Sequence, residues 1–247
     1  MSLAAPSRTE VEALFDAWAT QEGYPAFSLD EYLRVLTAAD QLLLPGRRVV
    51  DLGCGSGSVS AVLTAMGHHV TGIDLSAAAI RAAIDARRIE EGFVADSLHT
   101  GLEALAYDVV TCPMLLLYVA DLRRQFQEIH RILRAGGQVL VFDHHARNPY
   151  TKAHFARPNW VDRLLEGRDN IPRRPLDEHL VAGAAGGLFA FRPPMFLSLY
   201  TKHPHKLINA AHVAARTAFR LVRAVTTASW TGNVIVMVGD KAVEVSR

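Results

Sequence analysis

Between Arg48 and His145, short apolar runs alternate with helix-patterned segments, and this alternation constrains the fold more than any other feature. VVDLG (49–53), HHVTGIDLS (68–76), GFVAD (92–96), YDVVTC (107–112) and GQVLVFDHH (137–145) read as strands. AAAIRAAIDARR (77–88) and DLRRQFQEIHRILRAGG (121–137) read as helices, the second ending at its glycines. Apolar strands joined through helices predict a parallel sheet covered on both faces. Ligands of such sheets bind beyond the carboxyl ends of the strands.

The flanks of this core are less regular. Ser7 and Glu10 are spaced as a capping box before Val11, Leu14, Phe15 and Trp18, and Ser28 and Glu31 repeat the signal before Leu29, Tyr32, Leu33, Leu36 and Leu43. Two helices are therefore expected in 1–45, with Pro45-Gly46 breaking the chain ahead of the core at 46–143. Residues 144–188 lose periodicity and read as an inserted cap. Residues 189–247 hold a sixth strand in GGLFAFRPPMFLSLY, a helix from His205 to Val225, and a last strand in GNVIVMVGDKA. With no linker between two cores, residues 1–247 read as one domain. From His179 to Gly239 no Asp or Glu occurs, and His212, Arg216, Arg220 and Arg223 follow helical spacing as one basic stripe. That stripe is either a solvated face or a surface that steers an acidic substrate or carrier.

A net charge of +1 argues against a nucleic-acid partner, and two cysteines, Cys54 and Cys112, form neither a disulfide framework nor a zinc pattern. No run approaches the ~18 apolar residues of a membrane span, and the N-terminal stretch lacks the apolar core of a secretory signal. A cytoplasmic protein is expected, and homodimerisation is left open.

The loop after the first strand, DLGCGSG, places Gly53, Gly55 and Gly57 at alternate positions behind Asp51. A dinucleotide fingerprint G-x-G-x-x-G would put its third glycine at position 58, where Ser58 stands. A carboxylate just before the loop repels a pyrophosphate and suits a cationic amino group. Asp74 ends the second strand, where it can hold both ribose hydroxyls of an adenosine, and Asp96 follows the third strand within reach of an adenine amino group. Both can also be read as plain caps of helices or turns.

VVDLGCGSG, VTGIDLS, VADS, YDVVTC and LRAGGQVLVF, in this order, resemble the successive motifs of class I S-adenosylmethionine-dependent methyltransferases over roughly 46–143. The resemblance implies an α/β, Rossmann-like, doubly wound seven-stranded sheet with its last strand antiparallel, N-terminal helices and a substrate cap. It implies S-adenosyl-L-methionine as cofactor, with contacts at Asp51, Gly53, Gly55, Asp74, Leu75, Asp96 and Cys112. Cys54 and Ser97, in the same loops, are further candidates. No metal is implied.

Methyl transfer is a displacement at an already activated carbon, so the protein mainly supplies geometry and desolvation. A base is needed where a hydroxyl must lose its proton. His144 and His145, at the end of the fifth strand, are candidates for that base or for substrate contact; a metal site and a structural role are the alternatives. The run from Asp143 to Pro149 also resembles the Glu-His-Asn-Pro-x-Asn-Pro stretch of some small-molecule members, with His145-Ala146 departing from it. Tyr118 either points into the substrate pocket or packs against the cap. The Asn/Asp-Pro-Pro-aromatic motif of amide- and base-nitrogen methyltransferases is missing after the fourth strand. Cys112 precedes a proline rather than following one, unlike the nucleophile of the cytosine enzymes. The expected function is methylation of a small molecule, at a hydroxyl or carboxyl oxygen of a secondary metabolite or lipid-like compound. N- or C-methylation, or cofactor binding without transfer, are the alternatives.

Overall fold

The computed structural model describes residues 29–156, 174–197 and 232–242. The expected first helix around Trp18, the middle of the cap and the basic stripe at 212–223 lie outside the described residues. Five parallel strands form the centre: β1 (Arg48–Leu52), β2 (His69–Asp74), β3 (Glu91–Val94), β4 (Tyr107–Pro113) and β5 (Leu133–His144). β8 (Val234–Lys241) runs antiparallel to β5 and to β6 (Phe189–Phe191), and the order across the sheet is β3-β2-β1-β4-β5-β8-β6. The sequence order of the strands reverses direction between β1 and β4. That is the switch point at which doubly wound sheets open a crevice for ligands.

The alternation of side chains along each strand explains the two layers. Val49, Val70, Val109, Leu140 and Phe142 pack on one face with α1 (Leu29–Leu36), α2 (Ser58–Ala65) and α3 (Ala77–Asp85). Val50, Ile73, Val110, Val139 and Val141 pack on the other with α4 (Leu122–Ile132) and α6 (Glu178–Ala185). Between β5 and α6 lies α5 (Pro149–Phe155). Because Val181 and Ala185 join Phe126 and Ile129 in that second cluster, α6 covers the sheet. Part of the stretch expected as a cap is thus a layer of the core. Among the described residues no helix is long and apolar enough to cross a membrane.

Three local results differ from the sequence expectation. The sixth strand comes as two pieces, β6 (Phe189–Phe191) and β7 (Met195–Leu197), both paired antiparallel with β8. Pro193-Pro194 between them lacks N–H donors and interrupts the edge. Among the described residues the sheet therefore counts eight strands, the extra one arising from this split. The fourth helix stops at Ile132, well before Gly136-Gly137, because Leu133 is already extended and pairs with Tyr107. The Lys241 ammonium donates to the carbonyls of His130 and Leu133 and satisfies that helix end. Finally, α1 buries Glu31, Tyr32, Val35 and Leu36 and leaves Leu29 exposed.

The third glycine of the loop has a steric reason for its position. Gly57 caps α2 with φ of 84°, and a Cβ there would lie 2.9 Å from Arg88 Cβ and 3.2 Å from Ala83 Cβ. Left-handed backbone costs an L-residue ~1–2 kcal/mol, and this clash adds to it. Gly57→Ala is expected to lower stability by more than that amount in denaturant unfolding. An unchanged midpoint would show that the loop relaxes around the methyl.

Candidate active site

The acids of the carboxyl edge fall in line with the strand order. Asp96 follows β3, Asp74 ends β2, Asp51 lies one residue from the end of β1, and Asp143 and His144 close β5. The glycine loop joins β1 to α2 at the switch point. It is fixed by Gly53 and Cys54 N–H groups donating to Ile73 O, and by the Arg88 guanidinium donating to Ser56 O at 2.8 Å. A Cβ on Gly53 would meet Leu115 at 2.9 Å, so the loop and the segment after β4 close tightly on each other. A Cβ on Gly55, by contrast, would meet none of the described residues within 4 Å. The described residues leave the middle of the loop uncovered.

Asp74 is oriented by backbone. Its Oδ2 accepts from the Gly55 N–H at 2.8 Å and its Oδ1 from the Ser76 N–H at 2.9 Å, while the Ser76 hydroxyl caps α3. Leu75 beside it is half-buried. Asp96 Oδ1 accepts from the Leu98 N–H, and Ser97 is tied to α4 through the Gln125 amide at 2.7 Å. Asp51 is fully buried between two hydroxyls, Ser60 donating to Oδ2 at 2.6 Å and Thr111 to Oδ1 at 2.8 Å. Burial pushes its carboxyl up to about 6; the two hydroxyls oppose the rise and the charge of Asp74 adds to it. Cys54 is buried with its sulfur against Gly72, and Cys112 is buried in the second core cluster. Burial, with nearby acids, pushes both thiols well up, so neither is a thiolate near neutrality.

At β5 the sequence offered two adjacent histidines, and they point to different environments. His144 is half-buried at the strand end, its ring edge-on to Phe155 with centroids 5.1 Å apart. His145 is fully buried: its Nδ1 lies 3.1 Å from Gly232 O, and its ring lies against Phe196 at 4.7 Å. Burial holds the His145 imidazole below its ordinary range, the Gly232 bond only partly offsetting this. His145 is built into the junction of β5, β7 and β8. Asn148 and Pro149, the remainder of that run, are the N-cap and first residue of α5, the Asn148 side chain accepting from the Thr151 N–H.

The bonding of Asp143 and the backbone of Met114 escaped sequence reasoning, whereas Tyr118 was already a candidate. Asp143 is fully buried and holds the turn bearing Tyr118, with Oδ2 accepting from Leu117 N–H and Oδ1 from His144 N–H; burial pushes its carboxyl up to about 7 against those bonds. Tyr118 sits half-buried in the 3-10 turn Leu116–Tyr118. Met114 adopts φ of 51° directly after β4, a conformation rare outside glycine and asparagine. Thr111 and Ser60 were also unassigned, although a lone hydroxyl in the apolar run YDVVTC, paired in register with Asp51, was a usable signal.

The donor set suits an adenosyl sulfonium amino acid. It has a ribose-ready carboxylate on the second strand, a buried acid that no Lys, Arg or His of the described residues contacts, and between them a loop whose middle the described residues leave uncovered. Among the described residues no cluster of His, Cys, Asp or Glu is gathered to hold a metal.

The family model of the methyltransferase domain matches residues 50–141, the stretch that carries this edge. The chain is 34% identical over 163 residues to the ubiquinone biosynthesis O-methyltransferase of Azotobacter vinelandii, covering 63% of this chain and 68% of that one. It is 39% identical over 104 residues to the enzyme of the same name from Cupriavidus pinatubonensis, covering 40% of this chain and 41% of the other. The chain spans about half the length of most of the curated relatives it matches. Among solved structures, geranyl diphosphate C-methyltransferase from Streptomyces coelicolor superposes with a TM-score of 0.65 at 17% identity, covering 98% of this chain and 100% of that one. At that identity the likeness speaks for the fold alone. The chain belongs to the class I S-adenosylmethionine-dependent methyltransferases, and S-adenosylmethionine is the cofactor of that family.

Proposed function

We propose that this protein transfers a methyl group from S-adenosylmethionine to the oxygen of a small hydroxyl-bearing molecule. The observation that carries this reading is the alignment of Asp96, Asp74, Asp51 and His144 along one carboxyl edge, flanking the switch point. Oxygen is favoured over carbon or nitrogen by the O-methyltransferase names of the curated relatives. A phenol-like or lipid-like acceptor is compatible with those names.

The cofactor supplies a methyl carbon already activated by its sulfonium. Asp74 grips the ribose hydroxyls, its carboxylate held in place by Gly55 and Ser76 N–H groups. Asp51 offsets the charge of the amino group from beneath the loop, directly or through water, with one hydroxyl held on each of its oxygens. Asp96 and the neighbouring Ser97 line the adenine end. Cys54 and Cys112 shape the floor by packing. His144 takes the hydroxyl proton of the acceptor, and Tyr118, on the turn held by Asp143, bounds the acceptor side. His145 has a structural role.

Binding of S-adenosylhomocysteine tests the cofactor half of this reading. At a ligand concentration of about 100 times Kd it should add ~2.7 kcal/mol of stability. A melting temperature that does not move at millimolar ligand would remove the cofactor site.

A further inference from the structure

Asp51 is enclosed in the sheet, and no Lys, Arg or His of the described residues stands beside it. Among the described residues its side-chain partners are two hydroxyls, Thr111 from β4 and Ser60 from α2, and the Ser60 backbone adds a further hydrogen bond. Among the described residues the titratable groups that face it are Asp74 from β2, Cys54 from the glycine loop and Cys112 from β4. One is an acid and two are thiols held protonated, so none of them balances a negative charge. A buried carboxylate in this setting is poised between its charged and neutral forms. We propose that Ser60 and Thr111 are positioning residues that hold Asp51 ready to ionise, so that binding of the cofactor's cationic amino group expels a proton from Asp51. The inference rests on the cofactor reading above and adds to it a proton linkage and two residues.

The sign follows from which form each state favours. An ammonium nearby favours the carboxylate, so the bound protein holds fewer protons than the free one and affinity rises with pH. Since the Asp51 carboxyl of the free protein sits at about 6, the release falls between about pH 5 and 7 and fades above it. Within that window affinity should fall by up to ~10-fold for each pH unit lost.

Calorimetric titration of the full-length protein with S-adenosylhomocysteine, at several pH values between 5 and 8 and in buffers of different ionisation enthalpy, reads this directly. The expected result is release approaching one proton near pH 5.5 that vanishes by pH 8. Asp51→Asn should abolish the release. Thr111→Val, with one stabilising hydroxyl gone, should move the release window to higher pH, and Thr111→Ser should restore it. Binding with the same Kd and no proton exchange from pH 5 to 8 would overturn the linkage while leaving the cofactor reading intact. Release that persists in Asp51→Asn, or an unmoved window in a folded Thr111→Val, would overturn the assignment to these residues. No binding at any pH would instead overturn the cofactor reading itself, and the linkage with it.

Discussion

Asp74→Ala should weaken S-adenosylhomocysteine binding by ~10²–10⁴-fold. Two hydrogen bonds from ribose hydroxyls to a charged acceptor contribute ~1.5–3 kcal/mol each. The same carboxylate also holds the Gly55 and Ser76 N–H groups, so its removal frees both the glycine loop and the start of α3. Asp74→Asn separates the two contributions. An amide keeps an acceptor for one of those N–H groups but loses the charge, and should fall between wild type and Ala. Calorimetry gives Kd, and wild-type affinity in Asp74→Ala would take Asp74 out of the site.

The second large effect concerns chemistry rather than binding. His144→Gln should slow turnover on a hydroxyl acceptor by ~10²–10⁴-fold, the usual contribution of a positioned base, while Kd for S-adenosylhomocysteine stays near wild type. His145→Gln should do the reverse. It disturbs the contact with Gly232 O and the packing on Phe196, and should show in the melting temperature before it shows in turnover. If His144→Gln keeps full activity from pH 6 to 9, His144 is not the base; if His145→Gln does so as well, transfer relies on positioning.

The difference between these neighbours shows where sequence reading ran out. Successive residues of a strand face opposite sides, so one of the pair had to differ from the other, but the sequence could not say which was enclosed. The answer lies at Gly232 and Asn233, whose carbonyls take the His145 ring nitrogen and N–H, and these residues are far away in the chain. Asp51, Asp74 and Asp96 were legible because each sits where an apolar run ends, a pattern that strand direction alone translates into a shared edge. Gly57 was legible as a departure from dinucleotide spacing, though its cause, the approach of Arg88 and Ala83, comes from α3 and the turn behind it. The early end of α4 was not legible, because pairing of Leu133 with Tyr107 overrides the helical pattern there. Asp143 was read at the end of the fifth strand, but its bond to the Leu117 N–H, which ties β5 to the turn after β4, was not legible.

The most direct test of the central claim follows the methyl group itself. Full-length protein is incubated with S-adenosylmethionine carrying a deuterated methyl and a panel of phenolic and other hydroxyl-bearing small molecules. Products are then read by mass spectrometry and NMR. The account predicts a labelled methyl on oxygen in at least one acceptor, with S-adenosylhomocysteine formed in equal amount and both lost in His144→Gln. Label found on carbon or nitrogen, or cofactor binding with no transfer to any member of the panel, would contradict it.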